Sequence, residues 1–354
     1  MKPTQTILIC PLDWGLGHTT RCVPIINKLL RLNYKVIIGA DKNPLAFLQQ
    51  EFPNIQYVVI PGYEVSYDEK GSFFKLFTES LKFNNFIKKE HELIDDIIKK
   101  HNIDIIISDN RYGLYSKKVK SILITHQLYP KVPIGKAIAH HKIEKLIANF
   151  DRCWIPDTET SENLSGDLAH LKPFNHRHQF IGVLSRFSNL ASLDTLIEQT
   201  YNFDLIAILS GPEPQRSIFE KLILDQIEKH NLKAIIVRGL PNCSLSGAEM
   251  HNSELTVFNH LQTEELHKYI QQSKLVVCRA GYSSIMDLAT LNKKAILVPT
   301  PGQTEQEYLA KYHHKKGNFY TQQQNELDLK KAIVEGEDYT PNFNFKDQLE
   351  FNLS

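Results

Sequence analysis

Short, nearly continuous apolar runs recur along the chain at intervals that leave room for a helix between most of them. In the first half they fall at Ile7 to Cys10, Lys35 to Gly39, Gln56 to Ile60, Asp104 to Ser108 and Ser121 to Thr125. They are rich in Ile and Val and too continuous for a sheet with one wet face, so the pattern predicts parallel strands covered by helices on both sides. A polar, histidine-rich stretch from Asp167 to Gly182, broken by Pro173, interrupts this alternation. The scheme then restarts, with strands predicted at Leu205 to Leu209, Ala234 to Val237, Leu255 to Phe258, Leu275 to Cys278 and Ala295 to Val298. This order predicts two doubly wound α/β domains with parallel sheets, residues 1–170 and 171–335, whose strand ends face a cleft between them. The tail, 336–354, is less regular, and the pattern leaves its path open.

Composition changes this picture little. At 354 residues, with 42% apolar and 23% charged residues, the chain has material for two cores. A formal charge of +1 gives no global basic field, so nucleic acid is not an expected partner. The five cysteines are scattered and show no C-x-x-C spacing, which predicts neither disulfides nor zinc and fits a reducing cytoplasm. No run approaches the length of a membrane span, and Ile7 to Cys10 is too short for a signal peptide. Ser72 to Lys89 interleaves Phe73, Phe74, Phe77, Phe83 and Phe86 with Lys75, Lys82, Lys88 and Lys89. It reads as a helix packed on the sheet with a basic outer face, the alternative being a peripheral membrane contact at the inner face.

Candidate chemistry gathers at three turns of the second half and one of the first. In "CRAGYSSIMD" a strand ends at Cys278, Gly281 permits a tight turn, and Ser283 or Ser284 can cap a helix whose N–H groups suit a diphosphate. Asp287 follows, placed to accept from ribose hydroxyls. One strand later, "PTPGQTEQE" brings Gln303, Thr304, Glu305, Gln306 and Glu307 to the start of a helix, polar groups suited to sugar hydroxyls. "ILSGPEPQR" repeats the strand, glycine loop and helix, with Ser210 and Gly211 as donors to a diphosphate and Arg216 to neutralise its charge. In the first half "TILICPLDWGLGHTTR" holds Gly15, Gly17, His18 and Arg21 as G-x-G-H-x-x-R at a strand-to-helix turn. A dinucleotide fingerprint wants a third glycine where Thr20 stands, although Asp41 is placed as its ribose acid.

The stretch from Cys278 to Ala310 resembles the C-terminal signature of family 28 glycosyltransferases. That resemblance implies the GT-B fold, two Rossmann-like domains facing across a cleft, with a nucleotide-sugar held mainly by the second. It makes Asp287 the ribose carboxylate, where the family more often has Glu, and Gln306 and Glu307 the donor-sugar contacts, where the family commonly has Gln-Gln. Arg279, Gly281 and Tyr282 match the family's glycine turn, and Ser210 to Arg216 its other phosphate loop. Gly17 and His18 match a glycine loop and histidine facing the donor, with His18 as base.

Imidazole suits that task because its pKa lies near working pH. Arg21, one turn on, would orient His18 or meet phosphate, while Asp109, Asn110, His126 and Gln127, just past strand ends, are acceptor-side candidates. No D-x-D triad occurs, so no metal and no cofactor is expected. The expectation is an inverting, metal-independent transfer from a nucleotide-diphosphate sugar, UDP-linked, to a hydroxyl of a carbohydrate or lipid-linked acceptor. Alternatives are a UDP-sugar hydrolase of the same fold, whose histidine activates water, a non-catalytic nucleotide-sugar binding protein, and an NAD-dependent dehydrogenase.

Overall fold

A computed structural model describes residues 4–62, 80–132, 135–171, 176–190, 201–243, 249–250, 254–345 and 349–353. Among them the first half forms a parallel sheet of strands β1 (Thr6–Pro11), β2 (Lys35–Ala40), β3 (Gln56–Val59), β4 (Ile105–Asp109), β5 (Lys120–Ile124), β6 (Arg152–Ile155) and β7 (His178–Phe180). Their spatial order is β3-β2-β1-β4-β5-β6-β7. Helices α1 (Gly17–Arg31), α2 (Lys42–Glu51), α3 (Ser80–His101) and α4 (Lys136–Ile147) connect them. Every residue of β1 is buried, as its unbroken apolar run requires of a central strand with helices on both faces.

The second sheet contains β8 (Phe203–Ile208), β9 (Ala234–Val237), β10 (Glu249–Met250), β11 (Leu255–Phe258), β12 (Ser273–Cys278), β13 (Ala295–Leu297) and β14 (Tyr320–Thr321). Its order is β10-β11-β9-β8-β12-β13-β14, parallel except for the edge strand β10. Helices α5 (Gln215–His230), α6 (Thr263–Gln271), α7 (Tyr282–Thr290), α8 (Thr304–Lys315) and α9 (Leu329–Glu335) complete it. Both sheets thus reverse winding direction beside their first strand, between β1 and β4 and between β8 and β12. In an open α/β sheet a crevice for ligands opens at that point.

Two features extend the sequence reading. Strand β7 pairs with β6, so the first sheet continues past residue 170, and the change of sheet falls between Phe180 and Phe203. The tail, whose path the pattern left open, returns to the first domain. Phe351 stacks on Trp154 at 4.5 Å, Lys28 lies 4.7 Å over Phe351, and the Glu350 amide donates to the Ile181 carbonyl.

The two halves also share a core. One apolar cluster joins Cys22, Ile26 and Leu29 of α1 with Ile285, Met286 and Ala289 of α7. The first helix of one sheet therefore packs near the helix that follows β12 of the other, which sets their N-termini against the same cleft. Among the described residues no helix is long and apolar enough to cross a membrane.

Of the aromatic stretch, Phe73, Phe74 and Phe77 lie outside the described residues. Phe83 and Ile87 pack against a core cluster, while Lys88 and Lys89 are exposed. Arg111 anchors α3 from below, donating to Glu90 at 2.6 Å and to the Pro61 carbonyl at 2.6 Å.

Candidate active site

The strand order, more than any motif, assembles the first wall of the cleft. Because β1 and β4 are neighbours, Pro11 pairs with Asp109, and the turn after β1 delivers α1 beside the Asp109 carboxylate. Gly15 takes φ +79°, a value that favours glycine, and the chain turns there into α1.

His18 Nδ1 then lies 3.3 Å from Asp109 Oδ2, and Arg21 donates Nε to the same oxygen at 2.7 Å and a terminal nitrogen to Oδ1. Asp109 can only accept, so His18 donates through Nδ1, which leaves Nε2 unprotonated. Arg21 also reaches His126 Nδ1 at 3.3 Å. Since Arg21 only donates, His126 carries its proton on Nε2, and that nitrogen meets Glu305 Oε1 at 2.8 Å.

Electrostatics follow from this pairing. Burial, then Arg21, pushes the His18 pKa below its ordinary value, so the imidazole is neutral at neutral pH. Burial alone would raise Asp109, but the charge of Arg21 and the contact with His18 hold it below the usual carboxylate range. Asn110 sits beside them with φ 54°, and its buried Oδ1 has no hydrogen-bond partner among the described residues. His126 stacks on Tyr282 at 4.1 Å with 14° between the rings, and Tyr282 donates to the Pro156 carbonyl at 2.7 Å.

The second wall brings mostly neutral groups to the cavity, with the carboxylates of Asp287 and Glu305 among them. Ser210, Gly211, Gly281, Ser283, Ser284, Gln303 and Gln306 line the same cavity of about 270 Å³ as Gly17, His18, Arg21, Asn110, His126 and Gln127. Gly211 takes φ +103° and has open space around it, so backbone can approach a ligand closely there. The Ser283 hydroxyl donates to the Gly17 carbonyl at 2.7 Å, and a Cβ on Gly17 would lie 3.3 Å from that oxygen. Gly17 thus permits the close approach of the two helix starts.

Neither α1 nor α7 has a side-chain cap, so their first-turn N–H groups stay available to an anion. Gln306 accepts from the Thr300 amide at 2.9 Å, and Glu307 from the Gly302 amide at 2.9 Å, which stiffens the loop before α8. Thr304 donates across the junction to the Lys131 carbonyl at 2.6 Å. Glu307 and Thr304 do not line the cavity.

Two arginines assigned to the donor from sequence stand elsewhere. Arg279 is 1% exposed and does not line the cavity. It donates to the Gln215 carbonyl at 2.9 Å and to the Val298 and Pro299 carbonyls at 3.4 Å, with its guanidinium 4.0 Å over Phe219. It pins the loops from beneath, and burial away from a carboxylate draws its pKa down to about 9. Arg216 is met by Glu213 at 2.6 Å and Glu220 at 2.7 Å, and it lines a smaller adjoining cavity with Ser210 and Gly211.

Asp287 lines the main cavity, but its Oδ1 accepts from Ser185 at 2.6 Å and its Oδ2 lies 3.4 Å from Arg186. Burial outweighs these partners and raises its pKa. Sequence reasoning did not single out Ser185, Arg186 or His260, which also reach the cavity or its carboxylate. They lie outside any glycine turn, and no spacing marks them.

Comparison with known proteins agrees with this architecture. Residues 219–348 match the glycosyltransferase family 28 C-terminal domain. A processive diacylglycerol beta-glucosyltransferase of Bacillus licheniformis is 20% identical over 87% of this chain and 81% of its own length. The UDP-N-acetylglucosamine--N-acetylmuramyl-(pentapeptide) pyrophosphoryl-undecaprenol N-acetylglucosamine transferase of Clostridium tetani is 24% identical over 89% of this chain and 84% of its own. The solved glycotransferase of kitacinnamycin superposes with a TM-score of 0.58 at 13% identity, over 96% of this chain and 94% of that one, and shares the two-domain GT-B fold.

Proposed function

We propose that this family 28-like glycosyltransferase moves a sugar from a UDP-linked donor to an acceptor hydroxyl by one inverting displacement, without a metal ion. The observation that carries the reading is His18, oriented by Asp109 and facing the uncharged, N–H-rich loops at Ser210, Gly211 and Gly281 across one cavity. His18 Nε2 takes the acceptor proton as the oxygen attacks the anomeric carbon. The leaving diphosphate gathers charge against the N-termini of α7 and the 209–211 loop, where fixed N–H dipoles stabilise it without reorganising.

UDP is favoured because the Clostridium relative is named for a UDP-sugar. The first wall continues into an apolar lining of Phe83, Phe86, Ile87, Ile143 and Leu146, with Lys142 among them. That lining suits an acceptor with an apolar portion, such as a lipid-linked one, rather than water.

The test is a panel of UDP- and dTDP-sugars, with and without lipid extract, in which diphosphate release, sugar destination and product anomeric configuration are followed. Acceptor-dependent release with inverted configuration, unchanged by EDTA, is the expected result. Equal release into water alone makes the protein a hydrolase, and binding without release makes it a sensor.

A further inference from the structure

Glu305 belongs to the second wall but completes the first. It stands in the first turn of α8, and its Oε1 accepts from His126 Nε2 at 2.8 Å while its Oε2 accepts from the side-chain Nε2 of Gln127. His126 in turn accepts from Arg21, Arg21 donates to Asp109, and Asp109 accepts from His18. These bonds run unbroken from His18 to Glu305, four members on one domain and the last on the other. Each donor and acceptor role is consistent with its neighbours, and the stack of His126 on Tyr282 holds the middle of the chain in place.

We propose that Glu305 is a positioning residue for the base: reaching across the cleft, it fixes the His126 tautomer, keeps Arg21 seated on Asp109, and so completes the His18 base from the second domain. This rests on His18 being the base. The catalytic histidine is then fully set only while the domains are closed on this side, which ties base strength to the conformation that excludes water.

Charge gives the inference its signature. The titratable and charged groups that face His18 are Arg21 on its own helix, Asp109 from β4, His126 after β5 and Glu305 from α8. Arg21 and Asp109 act on His18 in opposite senses, and the Glu305 carboxylate adds negative potential that favours an imidazolium. Burial opposes ionisation of Glu305, yet the hydrogen bond from His126 and the charge of Arg21 beyond it hold it ionised.

Removing that charge makes His18 a weaker base and makes it lose its proton at lower pH. Glu305→Gln keeps the size and one acceptor oxygen for His126 Nε2, removes the charge and gives up the bond accepted from Gln127. It should therefore lower the plateau of kcat/KM about threefold and move its acid limb down by about half a pH unit. The donor KM should stay within about twofold of the original, and Glu305→Asp should recover part of the loss.

The experiment measures kcat and KM against pH for the full chain, its Glu305→Gln and Glu305→Asp variants, and His18→Ala, with folding checked by thermal melts. A downward shift of the acid limb with donor KM retained supports the proposal. An unmoved limb, whether with a raised donor KM or with unchanged rates, overturns it; if Glu305→Gln does not fold, Glu305→Ala, which also removes the charge, is read in the same way. A fully active His18→Ala instead overturns the assignment of the base itself, whatever Glu305 does.

Discussion

The two walls of the cleft share a local plan, strand, glycine turn and uncapped helix start, yet they are chemically opposite. The first wall concentrates charge: His18, Arg21, Asp109 and His126 form one bonded cluster. The second wall turns these arginines away, with Arg279 under the loops and Arg216 held between two carboxylates, and offers hydroxyls, amides and backbone N–H groups beside the carboxylates of Asp287 and Glu305. The contrast suits a reaction in which one side must move a proton while the other must hold a diphosphate through bond cleavage. Fixed dipoles accept developing charge without titrating, whereas an imidazole must titrate to act.

The largest expected effect falls on the charged wall. Asp109→Asn leaves the buried Arg21 without its counter-charge and frees the His18 tautomer, so rates should drop at least about a thousandfold. Stability should fall by about 3–5 kcal/mol, the usual result of breaking a buried ion pair, read by denaturant unfolding. A variant that is destabilised but fully active would make that wall structural only.

Arg279→Met is next in size and tests the opposite claim. It should lower the midpoint of thermal unfolding by several degrees, by roughly 2–3 kcal/mol for three orphaned carbonyls, with donor KM unchanged. A donor KM raised tenfold with an unchanged melt would return Arg279 to the donor. Ser284→Ala should do less, raising donor KM about three- to tenfold with kcat nearly unchanged, as the loss of one uncharged hydrogen bond implies.

The last effect is one of pH on stability. Burial pushes His260 and His313 down to about 4, so between pH 6.5 and 4 the unfolded chain binds protons that the folded chain refuses. Stability is therefore complete above about 6.5 and declines as pH falls through that window. His313→Asn should flatten the decline, measured as unfolding free energy from pH 7 to 5.

Much of the fold was legible because period and continuity report burial directly. The strands Ala234–Val237 and Leu255–Phe258 match the apolar runs residue for residue. Strand β6 escaped notice because it opens on the exposed Arg152 and leaves only three apolar residues to mark it, and β14 because two residues carry no period. At the site, His18 and the glycine turns were legible since a turn leaves a local mark. The partnership of Arg21 with Asp109 was not, since the two lie 88 residues apart and only the order of β1 and β4 joins them.

Arg21 and Arg279 show where that boundary lies. Each follows a buried strand, and each is 1% exposed, so the local sequence treats them alike. The amino-acid order alone settled that two wound sheets would form and that their strand ends would carry loops rich in glycine and polar groups, because hydrophobic period and turn chemistry are local properties. Folding in three dimensions decided which arginine met a carboxylate and which met only carbonyls, because a buried charge takes its role from the groups within a few ångströms, wherever in the chain they began.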